Sequence, residues 1–354
     1  MWEDYVRTVE PYVPGEQPKV SNLIKLNTNE NPYPPAPGVF DVLKNMDAVS
    51  LKKYPDPTCS VLVDAISDFY HVDSDRIFVG VGSDDVLSMA FLTFFNSDVP
   101  ILFPNITYSF YDVWANLYRI PFRQIPLMED FSVRKEDYFV PNGGVVLANP
   151  NAPTGANLPL KDIEEIIQHN KDQVVIIDEA YADFGGESAL SLIDKYENLL
   201  VVQTFSKSRS LAGLRIGYAM GSRKLIKYML DVKFSFNSYT MNTPALLMGA
   251  AAVKDREYFE KTVAAVIKTR EWTKGELKRL GFSFADSKTN FIFARHESVP
   301  RDYIFKRLRE ENILVRAFNG DIIKDYLRIS IGTDEEMRVV IDTLEKILGE
   351  YKNA

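Results

Sequence analysis

The sequence contains a single cysteine, Cys59, in 354 residues. One thiol excludes a disulfide framework and a cysteine-built metal site. Histidine is almost as scarce: His71, His169 and His296 lie far apart and show no ligand spacing, so no metal is expected. An excess of positive charge is also missing. The net charge of -8 argues against non-specific attraction to nucleic acid, and any anion site must come from a few placed cations. No apolar run approaches the ~20 residues that a membrane-spanning helix needs. The opening "MWEDYVRTVEPYVPGEQP" has acids and prolines where a signal peptide has an apolar core. A cytoplasmic protein acting on small molecules is expected, with neither nucleic acid nor membrane as partner.

What is present is an ordinary globular composition, 46% hydrophobic and 25% charged. The length calls for one large domain and a smaller one. Residues 1–40 are rich in proline and asparagine, densest in "NTNENPYPPAPG", and read as an extended arm with turns. Residues 41–244 alternate short apolar runs with amphipathic segments. "RIFVGV", "VPILFP", "GVVLANP", "QVVIID" and "LLVVQT" read as buried strands, and apolar positions 86, 87, 90, 91, 94 and 95 share one helix face. This rhythm predicts an α/β fold with a mostly parallel sheet flanked by helices. Residues 245–354 form a smaller C-terminal α/β domain: a long, mostly helical stretch to about Leu280, the strands "NFIFA", "ILVRAF" and "YLRISIG", and a last helix opened by a capping box, Thr333 and Glu336.

In open α/β sheets, ligands collect beyond the carboxyl ends of the strands. "FVGVGSDD" passes from a strand through Gly80 and Gly82 into Ser83, Asp84 and a helix, offering free N–H groups to an anion. "VVIID" ends in Asp178, followed closely by Tyr181. "VVQTFSK" ends in Thr204, Ser206 and Lys207, with Arg215 eight residues further. Each has an ordinary reading alone: a solvated lysine, a strand-end cap, a surface ion pair. Together, all beside strand ends, they describe a pyridoxal phosphate site. A lysine forms the Schiff base, a carboxylate pairs with the ring nitrogen, and hydroxyls, helix N–H groups and an arginine hold the phosphate.

The chain resembles the class I/II aminotransferases of the fold-type-I pyridoxal phosphate superfamily, most closely the histidinol-phosphate branch. The likeness runs nearly end to end, through "LNTNENPYPPAP", "KYPDPTCSVL", "VGVGSDDVL", "PNITYSFY", "NPNAPTG", "DEAYADF", "TFSKSRSLAGLRIGY", "NFIFAR" and "YLRISIGT". It implies that Lys207 is the Schiff-base lysine and general base, that Asp178 keeps the ring nitrogen protonated, and that Tyr181 hydrogen-bonds the phenolic oxygen. Tyr108 would stack on the ring. The Gly82–Ser83–Asp84 turn with Thr204, Ser206 and Arg215 would bind the cofactor phosphate. Tyr54 would reach the neighbouring subunit's cofactor, making the protein a homodimer with shared sites. Tyr12, Arg316 and Arg328 would grip the substrate phosphate, with 2-oxoglutarate as amino acceptor.

One departure stands out. The superfamily's asparagine before Pro-Thr-Gly is here Ala152, whose methyl cannot donate a hydrogen bond. Either Asn151 or Asn149 moves in, or Tyr181 carries the contact alone; Asn151 is named as the candidate. Other chemistries on the scaffold are an aromatic amino-acid aminotransferase, in which Arg328 would accept a carboxylate, and a threonine-phosphate decarboxylase, whose glycine- and histidine-rich opening is absent. A cofactor-binding regulator would carry a DNA-binding domain ahead of these motifs, which here begin by residue 27.

Overall fold

The computed structural model describes residues 1–18 and 22–353. The arm supplies one short strand, β1 (Ile24–Lys25), and leads into α1 (Pro37–Asn45) and α2 (Ser60–Tyr70). Alternation then begins: β2 (Ile77–Gly80), α3 (Ser83–Phe94), β3 (Ile101–Pro104), α4 (Phe110–Tyr118) and β4 (Phe122–Ile125). It continues through β5 (Val145–Ala148), α5 (Leu160–His169), β6 (Val175–Asp178), β7 (Leu199–Thr204), β8 (Gly217–Gly221) and α6 (Arg223–Phe236). The five apolar runs read as strands are β2, β3, β5, β6 and β7.

These strands form one sheet of order β2-β8-β7-β6-β5-β3-β4. β7, β6, β5, β3 and β4 are mutually parallel, while β8 runs antiparallel between β2 and β7. Side chains alternate across such a sheet, so each strand serves two cores. Val145, Leu147, Val175, Ile177, Leu199 and Val201 pack on one face with residues of α2, α5 and α7 (Thr243–Lys254). Val146, Ile176, Leu200 and Val202 pack on the other with residues of α3, α4 and α6. Burial on both faces explains why these segments read as continuous apolar runs.

The long helical stretch is broken at Asp255, whose side chain accepts from the backbone N–H of Tyr258 at 3.1 Å and caps α8 (Arg256–Arg279). α7, before the break, buries Ala245, Leu246, Met248, Ala250 and Val253 in the large domain's core. The second core takes over only in α8, with Val263 and Val266. It continues through β9 (Phe282–Phe284), β10 (Phe291–His296), α9 (Arg301–Glu310), β11 (Ile313–Leu314), β12 (Arg316–Ala317), β13 (Leu327–Ser330) and α10 (Asp334–Lys352). The β12-β13-β10-β9 sheet is antiparallel. Thr333 and Glu336 form the expected capping box at the start of α10. The arm belongs to this half by contact: β1 pairs parallel with β11, and Leu26 lies in the second core. Among the described residues no helix is long and apolar enough to cross a membrane.

Candidate active site

A cavity of about 460 Å³ opens beyond the carboxyl ends of the parallel strands. Its lining includes Ser83, Asp84, Tyr108, Asp178, Tyr181, Thr204, Ser206, Lys207 and Arg215, residues separated by more than a hundred positions in sequence. The short loops after β2, β3, β6 and β7 deliver them.

The turn after β2 depends on glycine. Gly82 has φ +86°, and a Cβ there would lie 2.5 Å from Arg215 Nη2. On β8, a Cβ at Gly217 would meet Gly82 C and Ser83 N at 2.3 Å. The glycine-bearing strand therefore passes directly beneath the first turn of α3, where backbone N–H groups lack helical acceptors. Arg215 Nη1 donates to Ser206 Oγ at 3.3 Å, and its Nη2 donates to Asp84 Oδ2 at 3.1 Å. Asp84 Oδ1 accepts from the Tyr108 hydroxyl at 2.7 Å. Thr204 Oγ1 lies 3.1 Å from Ser206 Oγ. Free N–H groups, two hydroxyls and a guanidinium thus converge as an anion cradle.

Asp178 is 5% exposed. It accepts from the Tyr111 hydroxyl at 2.8 Å and from the backbone N–H of Ala180 at 3.3 Å, and no cation pairs with it among the described residues. Burial pushes its carboxyl up to about 6, against the pull of the Tyr111 hydrogen bond. A buried carboxylate aimed into a cavity without a counter-charge fits a ligand carrying a protonated ring nitrogen. Lys207 Nζ, also in the lining, donates to the carbonyl of Thr28 at 3.1 Å and stands 5.8 Å from the centre of the Tyr181 ring. These side chains fit pyridoxal phosphate: a cradle for its phosphate, a carboxylate for its ring nitrogen and an amine for its aldehyde.

A second cavity, of about 660 Å³, shares Tyr108 with the first and is lined also by Tyr12 and Arg316. Tyr12 stacks on Phe110 with ring centroids 4.3 Å apart. Arg316 and Arg328 are directly paired across β12 and β13. Arg316 reaches the carbonyl of Val13 at 3.4 Å, and Arg328 Nη2 donates to the carbonyl of Asn27 at 3.0 Å. The Arg328 guanidinium lies over Phe291 and Phe318, and its Nε has no partner among the described residues. Burial holds its pKa below the usual arginine value, and the charge of Arg316 acts in the same direction.

Arg328 lines neither cavity, and two further expected residues, Asn151 and Tyr54, lie elsewhere. Asn151 does not line the cavity: its amide donates to the carbonyl of Ile106 and to Thr154 Oγ1, each at 2.9 Å, and its carbonyl accepts from Thr107 Oγ1. Asn149 is likewise committed to both backbone groups of Leu158. These amides pin the turn after β5, and Ala152 itself faces the cavity. The amide of Asn151 is thus engaged in the turn and does not face the cavity. Tyr54 is 82% exposed, stacked on Tyr239 and outside both cavities of its own chain.

Sequence reasoning missed Tyr111, although it stands only three residues after Tyr108, in the first turn of α4. It also missed the arm's part in the site. Thr28 and Glu30 line the cavity. Asn31 donates to the carbonyls of Lys207 and Ser208, and Asn29 donates to the Tyr181 hydroxyl at 3.0 Å. The cluster of asparagines in "NTNEN" was the available signal, but asparagine there reads first as a turn former.

Comparison with known proteins agrees with this geometry. Residues 21–344 match the family model described as aminotransferase class I and II. Histidinol-phosphate aminotransferase of Clostridium botulinum (strain Langeland) is 51% identical over 99% of both chains. That of Lactococcus lactis subsp. cremoris (strain MG1363) is 51% identical over 98% of both. Among solved structures, the histidinol-phosphate aminotransferase of Clostridium acetobutylicum superposes with a TM-score of 0.85 at 21% identity, covering 93% of this chain and 100% of that one. The Sinorhizobium meliloti enzyme, solved with pyridoxal-5'-phosphate, gives 0.84 at 23%, covering 93% and 91%. At those identities the structures speak for the fold, while the family model and the half-identical relatives identify the chain as a member of the class I and II aminotransferases.

Proposed function

We propose that this chain transfers the amino group of L-histidinol phosphate to 2-oxoglutarate, yielding imidazole-acetol phosphate and glutamate in histidine biosynthesis. The observation that carries the substrate assignment is the Arg316–Arg328 pair: two cations opposite one another, without an acidic partner among the described residues. Arg215 and the Gly82–Asp84 turn are taken up by the cofactor's phosphate, and a substrate phosphate needs its own cations. Tyr12, which lines the same cavity as Arg316, completes that grip.

Pyridoxal phosphate, when bound, would supply an aldehyde for the substrate amine and a protonated ring as the sink for the electron pair at Cα. Asp178, held by Tyr111, holds the proton on the ring nitrogen by its negative charge. Lys207 Nζ takes the proton from substrate Cα. Tyr181 would donate to the ring's hydroxyl oxygen, and Tyr108, fixed through Asp84, would cover the ring. The N–H groups of Ser83 and Asp84, with Thr204, Ser206 and Arg215, bind the phosphate.

The working unit is a homodimer. Tyr54 is exposed and turned away from its own cavity, and exposed Val49, Leu51, Phe234 and Phe236 surround the Tyr54–Tyr239 stack in sequence. Apolar exposure of this kind marks an interaction surface, across which Tyr54 reaches the partner's cofactor phosphate. A cytoplasmic location fits an enzyme of small phosphorylated metabolites.

The test is a substrate panel at fixed 2-oxoglutarate, comparing histidinol phosphate with phenylalanine, tyrosine and threonine phosphate. Histidinol phosphate should show the highest kcat/KM. Faster turnover of phenylalanine would replace this reading with an aromatic amino-acid aminotransferase.

A further inference from the structure

Asn29 is 1% exposed and comes from the arm, yet every polar group it has is engaged. Its backbone N–H donates to Ser330 Oγ at 3.0 Å, and Ser330 Oγ lies 2.8 Å from Asn29 Oδ1. Its carbonyl accepts from Asn290 Nδ2 at 3.0 Å, and its own Nδ2 lies 3.0 Å from Tyr181 Oη. A serine hydroxyl that accepts a backbone N–H has its proton free for another acceptor. Here that acceptor is Asn29 Oδ1. The two-bond ring between Asn29 and Ser330 therefore fixes the amide's orientation and leaves only N–H to face Tyr181.

The consequence passes to the phenol. Tyr181 Oη has one proton and two acceptor positions. With an amide N–H on one acceptor position, the phenol's proton points away from Asn29. Tyr181 lines the cavity together with Ala152, which cannot donate. The cations facing Tyr181 are Lys207, 5.8 Å from its ring centre, and Arg328, whose guanidinium lies over the Phe291 ring that meets Tyr181 edge-on. Neither offers an acceptor for the phenol's proton.

We propose that Asn29, locked by Ser330, is a positioning residue that turns the hydroxyl of Tyr181 into a dedicated donor to the cofactor's ring oxygen, in place of the donor that Ala152 lacks. The inference rests on the cofactor reading given above. It also ties the site to the small domain, since Ser330 ends β13 while Tyr181 follows β6.

The readout is the pH midpoint of the visible absorbance change of the cofactor-loaded protein, which reports the proton on the lysine–cofactor linkage. A donor to the ring oxygen draws off negative charge that otherwise holds that proton, so losing the donor raises the midpoint. Asn29→Asp keeps the shape but presents an acceptor to Tyr181, pulling the phenol's proton away from the cavity. Ser330→Ala removes the lock and leaves the Asn29 backbone N–H unpaired, so thermal melting must first show that it folds. Tyr181→Phe should raise the midpoint most, Asn29→Asp nearly as much, and Ser330→Ala by roughly half a pH unit. Combining Asn29→Asp with Tyr181→Phe should add nothing further. An unchanged midpoint in folded Asn29→Asp and Ser330→Ala overturns the inference, as does a shift that persists undiminished in the Tyr181→Phe background. If the unmodified protein shows no pH-dependent visible band, the cofactor reading itself fails.

Discussion

Arg316 and Arg328 stand directly opposite one another in the β12–β13 ladder. Directly opposed residues of an antiparallel pair project to the same face with Cβ atoms roughly 5 Å apart, and like charges there destabilise the sheet. Neither arginine is relieved by a carboxylate among the described residues. The substrate phosphate proposed above, settling between the guanidinium groups, would relieve that repulsion.

Arg316→Ala should therefore act on substrate choice more than on folding. Hydrogen bonds to charged groups contribute ~1.5 to 3 kcal/mol, so kcat/KM for histidinol phosphate should fall roughly ten- to a hundredfold. An aromatic amino acid, whose carboxylate needs only Arg328, should lose much less. The melting temperature of the ligand-free variant should hold or rise. Equal kinetic losses on both substrates would remove Arg316 from the substrate grip.

Asp178→Asn should separate stability from activity. Burial raises Asp178 to about 6 from an ordinary 3.8. A carboxyl raised in the folded state favours folding while protonated; that contribution is whole below 3.8 and is lost as pH rises through about 6. Glu179, pushed by burial to about 7, adds the same trend one step higher. Cofactor-free protein should thus lose stability between pH 4 and 7, and Asp178→Asn should stabilise it at pH 8 by on the order of 2 kcal/mol. Turnover should fall about a hundredfold or more, because the ring nitrogen loses its counter-charge. A variant less stable than the parent at pH 8, or equally active, would refute the pairing.

The sheet was legible because its strands are buried on both faces: Val145 to Ala148 and Val175 to Ile177 leave no polar position to confuse the pattern. β8 was not, because its terminal residues, Gly217 and Gly221, are glycines, a residue depleted from strands. Gly217 is there to let the phosphate turn approach. The strand-end side chains of the site were readable for the same reason as the strands. Asn29 was hidden because its partners, Tyr181 and Ser330, lie 152 and 301 residues away. No local pattern distinguishes an asparagine that makes a turn from one that bridges two domains. Asn151 misled in the opposite sense: it stands beside Ala152, where the motif has lost its asparagine, but its amide is spent on Ile106 and Thr154.

Gly82→Ala should damage the phosphate cradle without unfolding the protein. The position has φ +86°, and the added methyl would press on Arg215. Cofactor affinity should drop roughly tenfold or more as Arg215 is displaced. Gly275, inside α8 with nothing within 4 Å of its Cβ position, is the control. Gly275→Ala should leave affinity unchanged and add about 1 kcal/mol of stability. Equal cofactor affinity in Gly82→Ala, measured by fluorescence titration, would show that the turn does not need its glycine.

The exposed Tyr54 leads to a complementation experiment. Within one chain Tyr54 touches Tyr239 and no cavity, so its contribution to a site can come only through a second copy. In the homodimer proposed above, Lys207→Ala would remove the amine from every site of its own dimer, and Tyr54→Ala would remove the tyrosine that each subunit lends. When the two inactive proteins exchange subunits, each hybrid dimer holds one doubly damaged site and one with both groups intact. Random exchange makes about half the dimers hybrid, so roughly a quarter of the parent activity should return. Mixing without exchange should return none, which makes exchange, followed by native mass spectrometry, the necessary control. If confirmed hybrids stay inactive, Tyr54 does not serve the partner's site, and its exposed ring has only a packing role at the dimer surface.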